Sequence, residues 1–182
     1  MNEKVTSGEE NGFSRRRVVA GVAWSLPVIA TAIAAPAAAA SPTLSITAGP
    51  FGTINHSKQQ GAGGTRTGQG PSTLTVQNTS PAAQTVTVGI VPGVDRGTIA
   101  SGIAVKSLTG NTVAAATFDA AYASTATITI AGNQSAAQAI SFYYLDGKGQ
   151  TTPTSGQTYT FTMTLSVGSA TFVIPGITMV IP

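Results

Sequence analysis

Thr158-Tyr159-Thr160-Phe161-Thr162-Met163-Thr164-Leu165-Ser166-Val167 alternates hydroxyl and apolar side chains without a break over ten positions. Successive side chains of an extended chain point to opposite faces, so Tyr159, Phe161, Met163, Leu165 and Val167 share one face and the hydroxyls share the other. Thr is β-branched and suits a pleated surface, which makes the polar face as strand-prone as the apolar one. The stretch predicts a strand with one side buried and one side wet, the pattern of an antiparallel sheet.

The same alternation recurs on either side. It appears in Leu74 and Val76, in Val86, Val88 and Ile90, and in Ala126, Ile128 and Ile130 flanked by Thr125, Thr127 and Thr129. Turn residues separate the runs: Asn78-Thr79-Ser80-Pro81, Pro92-Gly93, Asp95-Arg96-Gly97, Gly110-Asn111, Gly132-Asn133 and Asp146-Gly147-Lys148-Gly149. The spacing predicts roughly eight to ten short strands in an all-β, antiparallel two-sheet sandwich. The Ala-rich stretch Ala114 to Ala123 is a candidate for one short helical turn around Phe118 and Tyr122. The pattern resembles immunoglobulin-like sandwiches in architecture only, since the pairing of a Trp with two Cys that marks antibody domains is missing. The last run, Ala170 to Pro182, is apolar on both faces at Phe172-Val173-Ile174 and Ile177 to Ile181. It is expected to be central or covered, by its own domain or by a partner chain through strand addition.

The N-terminus reads differently. A polar stretch from Met1 to Phe13 leads into Ser14-Arg15-Arg16-Arg17, and Val18 to Ala40 is then apolar or small. This is the charged region, apolar region and small-residue tail of a secretory leader. Ser14, Arg15, Arg16, Val18 and Val19 resemble the twin-arginine motif, with Ala20 where a Lys is frequent. With its core Gly21-Val22-Ala23-Trp24-Ser25-Leu26-Pro27-Val28-Ile29-Ala30, the leader resembles those of small secreted or surface proteins of actinobacteria. The resemblance implies a preceding signal helix and, as export partners, the Tat translocase and signal peptidase. Pro27 and Pro36 would kink a retained span, so cleavage is expected, and membrane attachment arises only through an uncleaved leader. Ala38 and Ala40 supply the small side chains that signal peptidase requires, placing the cut before Ser41. The expected organisation is a leader over 1–40 and a single domain over 41–182, secreted or wall-associated, with a Gly-rich loop at about 59–71.

Removing the leader changes the charge. Four of the nine Lys and Arg and three of the six acids lie within it, which leaves five bases against three acids, or +2. Five dispersed bases form no phosphate-neutralising stripe, so nucleic acid is not an expected partner. The chain has no Cys, which excludes a lipoprotein anchor, thiol catalysis and thiolate metal sites. Absence of disulfides also agrees with a protein that folds in a reducing compartment before export.

Catalytic chemistry has little to work with. A glycoside hydrolase needs two carboxyl groups at a set separation. Residues 41–182 offer Asp95 and Asp146, both in turn sequences, and Asp119, which has no obvious partner in sequence. One His and three scattered Asp assemble neither a metal site nor a serine triad. The chain is therefore read as a non-enzyme without a cofactor, and His56 as an exposed loop residue. The Gly-rich stretch Gln59 to Pro71 carries no Gly-Lys-Ser/Thr and opens no helix, so it is not a phosphate cradle. As the longest irregular segment it is the candidate ligand loop, with His56, Lys58 and Arg66, and with Tyr143 as a candidate outward aromatic. Ranks of Thr resemble ice-binding faces, but their intervals are irregular; exposed Thr are also candidate glycosylation sites. The functional expectation is a structural, adhesive or assembly module of a bacterial envelope, associating with cell-wall polymer or with itself. A soluble binding module for a wall polysaccharide or another extracellular ligand is the alternative, and a hydrolase the third reading.

Overall fold

The computed structural model describes residues 43–59, 64–96, 101–147 and 155–182. All of them belong to one compact unit, Pro42–Pro182. The leader, its motif and the cleavage position Ser41 lie outside the described residues, as do residues 60–63 of the Gly-rich stretch.

The described residues begin with a long hairpin. β1 (Leu44–Ala48) and β2 (Phe51–Lys58) form one arm, β3 (Arg66–Pro71) and β4 (Thr73–Asn78) the other. The arms keep a single register from Leu44↔Asn78 through Phe51↔Pro71 to His56↔Arg66. β5 (Gln84–Pro92) crosses to the second sheet, and a 3-10 turn at Val94–Arg96 follows it. β6 (Ser101–Leu108) returns to the first sheet. β7 (Thr112–Val113) and β8 (Thr117–Phe118) are two-residue pieces that pair with β9 (Ser124–Ile130). β10 (Gln134–Asp146), β11 (Thr158–Val167) and β12 (Ala170–Val180) complete the set of twelve strands among the described residues.

Two sheets of six strands pack as a sandwich. One runs β1-β4-β10-β2-β3 with β6 also on β10; the other runs β12-β11-β5-β9-β7 with β8 also on β9. Every ladder is antiparallel but one. β10 is antiparallel to β4 from Gln134↔Asn78 to Ala139↔Thr73, and then parallel to β2 at Phe142↔His56. β10, 13 residues long, leaves its arm of the hairpin at Thr73, where β4 gives way to β3, and continues beside β2 of the other arm, which runs in the opposite direction. The Ile140 amide bonds to the Ser72 carbonyl at 3.0 Å, where the changeover occurs.

The alternation read from the sequence is the alternation that packs. Tyr159, Phe161, Met163 and Leu165 of β11 are buried, as are Val86, Val88 and Ile90 of β5 and Ile128 and Ile130 of β9. They meet Ile46, Leu74, Val76, Ile103, Val105 and Phe142 of the facing sheet in one apolar cluster. Burying a side chain of this size stabilises by about 1.5–3 kcal/mol, and these residues hold the two sheets together.

Three local expectations are corrected. Ala114 to Ala123 forms no helical turn: β7 and β8 anneal to β9, and Asp119 accepts the Ala121 and Ala123 amides at 2.8 and 2.9 Å. The apolar run of β12 is an edge strand rather than a central one. Ile174, Ile177 and Met179 point into the core, while Val173 is 58% exposed. The strand bends between these halves, where its register against β11 shifts and Gly176 takes a φ of +77°. Its second half is covered by β3: the Gln69 amide donates to Thr178 Oγ1 at 2.8 Å. The approach is so close that a methyl group on Gly68 would collide with the Thr178 carbonyl. Third, β3 makes a strand of what composition reads as a loop: at Gly68 only a bare backbone fits against the Thr178 carbonyl of β12, and Gly70 packs closely on the end of the Ile54 side chain.

Candidate functional site

The structure divides the four candidate ligand residues into two pairs. His56 and Arg66 are register partners on β2 and β3. Both are buried, which corrects the reading of His56 as an exposed loop residue and of Arg66 as a loop cation. Burial of a strand-borne His follows from period two: His56 shares the inward face of β2 with Ile54, while Asn55 faces out.

The His56 ring is fully buried, lies 5.9 Å from the Phe142 ring, and places Nε2 2.9 Å from the Thr178 carbonyl. A carbonyl only accepts, so Nε2 carries the proton and Nδ1 is the bare nitrogen of a neutral imidazole. Nδ1 is buried with no hydrogen-bond partner. Burial lowers the pKa of His56; the bond to Thr178 opposes this shift and the nearby Arg66 charge adds to it.

Arg66 is held on several sides. Its Nη1 and Nη2 donate to Asp146 Oδ1 and Oδ2, each at 2.9 Å, in a forked pair. Nη1 also donates to Ser101 Oγ at 3.1 Å, and Ser101 Oγ donates in turn to Asp146 Oδ1 at 2.8 Å. The guanidinium lies 4.2 Å from the centre of the Tyr144 ring, whose hydroxyl bonds the Gly64 carbonyl at 3.0 Å. Planar stacking and a bidentate carboxylate are what a guanidinium offers and an ammonium does not. These contacts tie the hairpin to β6 and β10. Asp146 is thus a cross-strand ion-pair partner rather than a local turn former. Asp95 likewise reaches across sequence, accepting the Thr160 amide at 2.8 Å and Thr160 Oγ1 at 2.9 Å.

Lys58 and Tyr143 form the second pair. They line one surface depression of about 310 Å³ together with Ser57, Gln59, Lys106 and Ala115. Tyr143, the candidate outward aromatic, is not an open platform. It does face away from the main core, but Ala116 and Phe118 pack over it and its hydroxyl accepts the Ala116 amide at 3.3 Å. Phe118 meets its ring edge-on at 6.2 Å. Lys106 is placed by a bulge: Ser141 pairs with Ser107 and Phe142 with Val105, so Lys106 is the extra residue of β6. Without the bulge Lys106 and Ser107 would fall on opposite faces. With it both are exposed and Leu108 stays in the core.

A third feature is the outer face of the second sheet. Register places Thr112, Thr129 and Thr85 in one cross-strand row, and Thr127, Thr87, Ser166 and Thr171 in the next. A third row holds Thr117, Thr125, Gly89, Thr164 and Val173. Neighbours in a row lie about 4.8 Å apart and successive rows about 7 Å apart. The six strands of this sheet contain no charged residue. Thr85, Thr87, Thr125, Thr127, Thr129 and Thr171 are exposed. Each strand showed its hydroxyls in sequence, but their alignment into rows depends on pairing between distant segments.

Among the described residues no helix is long and apolar enough to cross a membrane, and no group of three or more His, Asp or Glu is placed to hold a metal ion. No family model matches the chain, and no curated protein or solved structure is found to resemble it.

Proposed function

We propose that this chain is a non-catalytic, secreted or cell-surface module of a bacterial envelope, an immunoglobulin-like sandwich that acts through its folded surface in a structural, adhesive or assembly role. The observation that carries the reading is the hydroxyl-lined, uncharged outer face of the β12-β11-β5-β9-β7 sheet. A solvent-facing sheet is usually sprinkled with Lys and Glu, which oppose lateral association. Here hydroxyl and methyl groups alternate across the sheet instead. Such a face makes many weak, unscreened contacts with a broad surface such as wall polymer or a second copy. The leader supports the location, through a twin-arginine route with cleavage before Ser41.

The test combines location and surface. Intact mass and N-terminal sequencing of cell, wall and medium fractions are expected to give a species beginning at or near Ser41 in the wall or medium. A full-length membrane-bound species would overturn the secreted reading. Sedimentation with purified walls is expected for the wild type and is lost in Thr87→Lys/Thr127→Lys. Retention by that variant would remove the face from the argument.

A second reading, a soluble binding module for a wall polysaccharide, is favoured by the depression that brings Lys58, Lys106 and Tyr143 together. It predicts saturable binding at that one place rather than adherence across the sheet.

A further inference from the structure

We infer that the depression between β2, β6 and β10 binds an anionic envelope polymer, its phosphate or carboxylate groups held by Lys58 and Lys106. The inference rests on the second reading above and adds to it the charge of the ligand and the residues that meet it.

The first ground is charge balance. Residues 41–182 contain three acids, and each is engaged elsewhere. Asp146 is forked to Arg66, Asp95 is bonded to Thr160, and Asp119 holds the Ala121 and Ala123 amides. Among the described residues neither Lys58 nor Lys106 has an ion-pair partner. The depression therefore has two ammonium groups and no carboxylate on its lining. Arg66, the base nearest in sequence, contributes no free charge because Asp146 neutralises it. Both lysines are thus open to an anion from outside the domain.

The second ground is construction. A bulge interrupts β6 at the one position that carries Lys106, and bulges re-aim side chains without disturbing the strand beyond them. Ser57, on β2, is the register partner of Tyr143, and the Gln59 amide is anchored to the Tyr144 carbonyl at 2.9 Å. The two lysines thus project from strand-borne and anchored backbone. Ser57 and Gln59 stand beside them as neutral hydrogen-bonding groups, suited to the hydroxyls of a sugar or polyol. A volume of about 310 Å³ takes one or two repeat units, so a polymer would be gripped at single units along its length.

The third ground separates this ligand from nucleic acid. Single strands are held by bases stacked on open aromatic faces. The one aromatic in the depression, Tyr143, is buried with Ala116 and Phe118 packed against it and offers no open stacking face. The chemistry present suits charge and hydroxyls, without a stacking platform.

The test is a titration of the isotope-labelled full chain with three polymers of similar length: polyglycerol phosphate, polygalacturonate and neutral dextran. Saturable shifts of the Ser57, Gln59, Lys106 and Tyr143 amides are expected with one or both anionic polymers and not with dextran. The relative response to the two anions assigns the group to phosphate or carboxylate. Lys58→Gln/Lys106→Gln, two exposed positions whose replacement leaves the fold intact by circular dichroism, is expected to weaken binding about tenfold or more, as loss of two charge-assisted contacts requires. Raising salt from about 50 to about 200 mM should weaken the wild type more than the variant. Shifts elsewhere, equal binding of dextran or of single-stranded DNA, or no effect of the double substitution would overturn the inference. Wall sedimentation is read separately. A chain that sediments with walls but ignores both anionic polymers keeps the envelope role and loses this site. One that binds the anions but not walls keeps the site and loses the envelope role.

Discussion

His56 of β2 and Thr178 of β12 are 122 residues apart in sequence, and the bond from the His56 ring to the Thr178 carbonyl joins the hairpin of one sheet to the edge strand of the other. Next to it, the Gln69 amide bonds Thr178 Oγ1. The two contacts seam one side of the sandwich.

The seam depends on a neutral imidazole. His56 in the folded chain titrates below the ordinary value of about 6.5, chiefly because burial disfavours its charge. The unfolded chain therefore binds a proton more readily than the folded one. Stability is complete above about pH 6.5 and falls as pH drops from there toward the folded-state pKa, with a slope of at most about 1.4 kcal/mol per pH unit. Urea unfolding at a series of pH values between 7.5 and 5 should show this slope, and His56→Gln should be less stable throughout but flatter across the window.

Arg66→Ala is expected to destabilise by about 3–5 kcal/mol, since it strands the Asp146 carboxylate and Ser101 in a largely buried place. Arg66→Met with Asp146→Leu should recover much of that loss, because apolar residues of similar volume leave no unpaired charge. A double-mutant cycle from chemical denaturation reads the coupling directly. Additive losses would mean that the pair contributes nothing beyond packing.

Gly68→Ala should cost about 1–3 kcal/mol and open the seam, because the added methyl meets backbone rather than a movable side chain. Gly52, in the facing strand, has open space around it, and Gly52→Ala should be neutral or slightly stabilising. Thermal melts of the two variants side by side separate a steric effect from a general intolerance of β2 and β3.

In the core, Leu165→Ala should cost about 2–5 kcal/mol, and on the outer face Thr87→Val should change stability by less than about 0.5 kcal/mol. A large loss from Thr87→Val would mean that the hydroxyl face is covered rather than open.

The sequence conveyed the sandwich where strands alternate cleanly. Thr158 to Val167 and Ser124 to Ile130 could be assigned from period two alone, because half of each strand is dry and half is wet. β3 was hidden, since Arg-Thr-Gly-Gln-Gly-Pro has no strand-forming apolar residue and depends on its fit against Thr178, 110 residues away. His56 and Arg66 were read as polar loop residues for the same reason: their partners Thr178 and Asp146 are remote in sequence. The pairing of Lys58 with Lys106 was equally invisible, resting on a bulge that no local residue announces. The parallel ladder of β2 and β10 is not legible either, because it joins segments remote in sequence and local composition does not name a strand's neighbour.

The seam also has a consequence in time. A chain emerging from the ribosome can zip the hairpin from Leu44 to Asn78 early, since its contacts are local. Gly68 and His56 must then wait for Thr178, which is synthesised more than a hundred residues later. Until β12 arrives, one flank of the hairpin stays uncovered, and the nascent protein remains open at that flank. Closure of that flank then reports that β12 has been made and seated against the hairpin.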